Sequence, residues 1–152
     1  MVTALDVSNS ILKRGFDEDI QLTPMKLQKM LYLVYKSYLK ETGNVLFEER
    51  FGVWKYGPVV CDIYNIFKRY KSNGILDYGA DSCGAVSIVD ESVSHVFKNV
   101  LDEVWEKYKK YDGTFLSKLT HKKDTAWYKA AKRKDEFLSD YDIKKEEDFD
   151  IE

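Results

Sequence analysis

Near the end of the chain, Ser117, Thr120, His121 and Asp124 supply a hydroxyl, an imidazole and a carboxylate, the residue types of nucleophilic hydrolysis. Such a set works only when its members hydrogen-bond in series, and an imidazole just after a helix more often caps or packs. His121 is therefore read as a structural or partner-contacting residue, with no catalytic set assigned, and His95 as an ordinary surface residue. The acidic groups Asp17-Glu18-Asp19 and Glu48-Glu49 offer oxygen ligands, but Arg50 interrupts the second and neither follows a calcium-loop register. They read as solvated faces, and no metal or cofactor is expected.

Four aromatic residues, Trp54, Tyr56, Tyr64 and Trp127, are of the type that anchors protein interfaces, though Trp54 and Tyr64 fit a core equally well. Together with His121 they are the partner-binding candidates. The bend at Gly57-Pro58 is not a phosphate loop, since it has one glycine and no following Gly-Lys-Ser/Thr. Basic residues run through Lys68-Arg69 and Lys71, then through Lys122-Lys123, Lys129, Lys132, Arg133 and Lys134. Gathered on one face they would neutralise phosphates. Asp124, Asp135 and Glu136 interrupt the second run.

These residues must be positioned by helices. Thr3 and Asp6 form a capping box for a first helix that Gly15 is expected to stop. Thr23 caps a second helix with Pro24 at its first position. In it Leu27, Met30, Leu31, Val34, Tyr35, Tyr38 and Leu39 recur at helical spacing until Gly43. The aromatic stretch from Val45 to Tyr56 suits one or two short strands, and Gly57-Pro58 leads into a third helix carrying Val60, Ile63, Tyr64 and Phe67. Ile75 to Val89 reads as a loop or a second hairpin. Asp90 is expected to cap a long helix with Val93, Val96, Phe97, Val100, Leu101, Val104, Trp105 and Tyr108 on one face. Two short helices, about Thr114 to Leu119 and Asp124 to Lys134, should follow, joined through Thr120-His121. The expected fold is mainly α, a single-domain helical fold with a small antiparallel β element over residues 1–136, followed by a charged, loosely held C-terminal tail over 137–152.

With 152 residues, 44% hydrophobic and 33% charged, the chain can bury about two-thirds of its unfolded surface in one core. Its 24 basic and 26 acidic residues leave a net charge of −2, so no global field draws it to nucleic acid or an anionic membrane. The two cysteines, Cys61 and Cys83, stand apart and match no zinc spacing. With no apolar leader and no long apolar run, an intracellular, cytoplasmic protein is expected.

Four blocks in order resemble the Panacea domain, the antitoxin domain of bacterial and prophage toxin–antitoxin pairs that includes GepA-like phage proteins and SocA-like antitoxins. They are Ala4-Leu5-Asp6-Val7-Ser8-Asn9; Thr23-Pro24-Met25-Lys26-Leu27-Gln28-Lys29; Leu46-Phe47-Glu48-Glu49 with Trp54-Lys55-Tyr56-Gly57-Pro58-Val59-Val60 and Tyr64; and Tyr111, Gly113, Leu116-Ser117, Leu119-Thr120-His121, Trp127 and Ala130. The resemblance spans Ala4 to about Ala131. The chain departs from the pattern at Cys61 and Ala126, where the family often has proline.

The resemblance implies a non-enzymatic antitoxin that holds a cognate toxin protein inactive, with a protease as a further partner in the variant where the antitoxin delivers its toxin for degradation. The charged tail would serve as the handle there. The alternative is a DNA-binding prophage or operon regulator, reading bases through Asn65, Lys68, Arg69 and Lys71 of helix three. A small hydrolase using His121 is the weakest reading.

Overall fold

The fold is organised around one helix, α2 (Pro24–Thr42), which packs against helices on several sides and against a hairpin. The structure is a computed structural model and describes residues 1–151. The other elements are α1 (Ala4–Glu18), β1 (Gly52–Trp54), β2 (Gly57–Val59), α3 (Cys61–Phe67) with a 3₁₀ turn at Lys68–Tyr70, α4 (His95–Tyr108), α5 (Gly113–His121), α6 (Ala126–Arg133) and α7 (Asp140–Lys145). The expected mainly α fold with a small antiparallel β element is what forms.

Helix starts follow local chemistry. Thr3 and Asp6 close their capping box, and Thr23 accepts from the Lys26 N–H ahead of Pro24. Gly43 ends α2 at φ +74°, the left-handed region where glycine is unstrained. Gly15 does not stop α1, which continues to Glu18 and is capped by left-handed Asp19. Gly15 is needed for contact instead: a Cβ there would stand 2.7 Å from the Ile20 carbonyl and the Leu22 side chain.

Two further expectations are corrected. Asp90 spends its side chain on a turn with Ser92, so α4 starts only at His95, and Val93 and Val96 lie exposed instead of on the core stripe. Thr120 and His121 lie inside α5 and do not link two helices. Ile75 to Val89 is a loop without strands, held by Asn9, which exchanges hydrogen bonds with Gly79 and donates to Ser87.

The C-terminal segment is not loose. Leu138, Ile143 and Phe149 are buried, and the chain from Glu136 to Leu138 runs beside β1 through Val53 N–H to Glu136 O and Leu138 N–H to Phe51 O. Its charge density predicts mobility. The structure places one of these charges, Glu146, inside, where it accepts from Lys36 Nζ (2.8 Å), the Tyr32 hydroxyl (3.0 Å) and the Ala126 N–H (2.9 Å). Ala126 can give that last bond because it is not a proline. The segment offered above as a protease handle is thus folded onto the body.

Candidate functional site

The two junctions that carry the resemblance most strongly are stitched to one another. From α2, the Gln28 amide donates to Val60 O and accepts from Val60 N–H, both at 3.0 Å. One residue on, Lys29 Nζ donates to Pro58 O at 2.9 Å. The hairpin β1–β2 pairs Gly52 with Val59, Val53 with Pro58 and Trp54 with Gly57, leaving Lys55 and Tyr56 as its turn. Pro58 has no N–H to give, so β2 suits a sheet edge, and side chains of α2 take the bonding places of a third strand. Gln28 and Lys29 are accordingly buried, although a helical stripe of apolar residues gives no signal for them.

Between the hairpin turn, the start of α2 and α3 lies an apolar groove of about 380 Å³. Trp54, Tyr56 and Tyr64 line it over a floor that includes Met25, Ile63 and Phe67. Trp54 and Tyr64 pack with ring centroids 4.9 Å apart, and Tyr56 and Tyr64 are 54% and 41% exposed. The remaining two candidates stand behind this wall. Trp127 Nε1 donates to Trp54 O at 2.8 Å, and the His121 ring meets Trp127 edge-on at 5.2 Å. Tyr64 and Trp54 thus form one ring pair at the groove, and Trp127 and His121 a second, joined to the first through the Trp54 carbonyl.

The hydrolytic set is not assembled. Ser117 Oγ donates to Tyr56 O and Thr120 Oγ1 to Leu116 O, whereas His121 Nδ1 is buried with no hydrogen-bond partner. The acids are also engaged elsewhere: Glu49 accepts from the Ala4 N–H at the start of α1, and Glu18 accepts from Trp105 Nε1 and Lys109. Lys109 and Trp105 hold the Glu18 carboxyl below the usual carboxylate range. Of the basic run, Arg69 lies over the Tyr70 ring, Arg133 pairs with Asp135 and Asp142, and Lys122 lies over Phe149.

Electrostatically the groove is set by Lys29, whose side chain is 1% exposed. Burial pushes its amine down to about 7.

The model of the SocA-like antitoxin Panacea domain matches residues 27–128. The chain belongs to that family. The matched stretch of this Panacea domain contains Gln28, Lys29, the hairpin and α3, which build most of the groove; Pro24 and Met25, at the start of α2, lie just before it. Antitoxin SocA of Caulobacter vibrioides is 35% identical over 66 residues, covering 43% of this chain and 35% of that protein. The aligned part is thus about a third of that relative's length. No solved structure matches the chain significantly. Among the described residues, no helix is long and apolar enough to cross a membrane, and Cys61 and Cys83 are free and exposed.

Proposed function

We propose that this protein is a non-enzymatic antitoxin that neutralises a cognate protein toxin by binding it directly, with the Trp54, Tyr56 and Tyr64 groove as the anchoring part of the contact. The observation that carries this is an open apolar groove, walled by half-exposed aromatic side chains, in an antitoxin-family domain. Large aromatic residues lose few rotamers on binding and dominate interface energetics. A stable complex buries about 800 Å² on each partner, so residues beyond the groove's rim must complete the contact.

The test is a growth assay in bacteria. The gene adjacent to this one is expressed from an inducible promoter, alone and with this protein. Rescue of growth with co-purification of the two proteins supports neutralisation by binding. Rescue accompanied by protease-dependent loss of the neighbour supports the delivery variant. A toxic neighbour that this protein neither binds nor relieves rejects the reading.

A further inference from the structure

The groove is one-signed in a chain that is slightly acidic overall. Its lining holds three amines, Lys29, Lys55 and Lys71, and no carboxylate. Lys55 is in the hairpin turn, with its amine over the Tyr56 ring, and Lys71 follows the 3₁₀ turn at φ +55°, an unusual conformation for a residue with a side chain. Lys29 is the unusual member. An ammonium has three donors, and among the described residues the only acceptor for this one is Pro58 O. Lys36, nearly as deeply buried, pairs with Glu146; Lys26, less deeply buried, resembles Lys29 in reaching only a backbone carbonyl, that of Lys109, but it does not line the groove. A buried amine without a counter-charge is expensive to keep unless something completes it.

We infer that the groove takes an apolar segment of the bound toxin that carries a carboxylate, and that Lys29 receives this carboxylate while Trp54 and Tyr64 cover the apolar part. The inference deepens the toxin-binding reading and rests on it. An aliphatic or aromatic side chain fills the floor, and the acid supplies the charge that the lining lacks. Gly57 lets the hairpin backbone close onto the Lys29 stem, since a Cβ there would stand 3.1 Å from Lys29 Cε and 3.0 Å from Thr120 Oγ1. A charged pair in such a place is little screened by salt and is favoured by its charge-assisted hydrogen bond. A phosphodiester chain suits the amines but not the apolar floor, so a protein segment is the occupant.

The test is an NMR titration of the isolated protein with two isosteric probes, 4-phenylbutyrate and 4-phenylbutanamide, and with a short single-stranded oligothymidylate. The indole N–H signals of Trp54, Trp105 and Trp127 and the ε-carbon signal of Lys29 are followed. The carboxylate is expected to shift Trp54 and Lys29, to leave Trp105, which does not line the groove, unmoved, and to bind at least about tenfold more tightly than the amide. It should also move the Lys29 titration to higher pH, which the amide should not. In Lys29→Met the two probes should bind alike. Equal binding of acid and amide to the unsubstituted protein, no shift at Trp54 or Lys29 under saturating probe, or a stronger effect from the oligothymidylate would each overturn the inference, and none of these depends on whether the variant folds. Because no toxin is present, carboxylate preference without growth rescue defeats only the toxin reading, and rescue without carboxylate preference defeats only this one.

Discussion

Lys36 Nζ of α2 lies 2.8 Å from Glu146 Oε2 just past α7, with both side chains almost wholly out of water. The pair joins helix and C-terminal segment across most of the sequence, and burial pulls the Lys36 amine down while Glu146 opposes that pull. Removing one partner leaves the other charge buried alone. Glu146→Leu is therefore expected to cost about 3–5 kcal/mol in urea denaturation. The double variant with Lys36→Met should recover much of the loss, and a double variant no better than the single would show that the coupling lies elsewhere.

Lys29 predicts a stability that rises with pH. Its amine titrates near 7 in the folded protein against 10.5 for an ordinary lysine, so between these values the unfolded chain binds more protons. The folded state is penalised in full below about pH 7, and the penalty disappears as pH approaches 10.5. Lys29→Met should thus be more stable than the parent by up to about 5 kcal/mol at pH 6, with the difference closing towards pH 10. Lys55, Lys71, Tyr56 and Tyr64 share the groove, so the slope should persist when Lys55 and Lys71 are changed to Gln. A pH-independent difference between parent and Lys29→Met would contradict the burial of a titrating amine.

Gly57→Ala should be destabilising for a backbone reason. Gly57 sits at φ +114°, which a residue with a Cβ adopts only under strain, and the new methyl would press on Thr120 Oγ1 and Lys29 Cε. A loss of about 1–3 kcal/mol is expected, seen as a fall of about 3–8 °C in Tm.

Tyr56 separates binding from folding. More than half of its side chain is exposed and it lies in the hairpin turn, so Tyr56→Ala should leave Tm almost unchanged. If the groove anchors the toxin, affinity for the toxin should nevertheless fall by about tenfold or more in calorimetric titration. Unchanged affinity in both Tyr56→Ala and Tyr64→Ala would move the contact to another face.

Trp127→Phe keeps the ring against His121 but deletes the bond from Nε1 to Trp54 O. About 1 kcal/mol of stability should be lost, together with a shift of the Trp54 indole signal, which reports the wall of the groove from behind.

Much of this protein is legible residue by residue. The caps at Thr3 and Thr23, the stop at Gly43 and the two-strand element around Gly57-Pro58 follow from groups a few positions apart, so sequence alone determines them. That Trp54, Tyr56 and Tyr64 line one groove is decided by the packing of the hairpin against α3 and is not visible in their spacing. What tertiary structure decided is which polar groups lie inside. Gln28, Lys29 and Lys36 lie off the apolar stripe of α2, yet each is buried by partners far along the chain: Val60, Pro58 and Glu146. The charged tail docks for the same reason, through Leu138, Ile143 and Phe149. A helical period tells which residues share a face; only packing tells how many faces of the helix are covered.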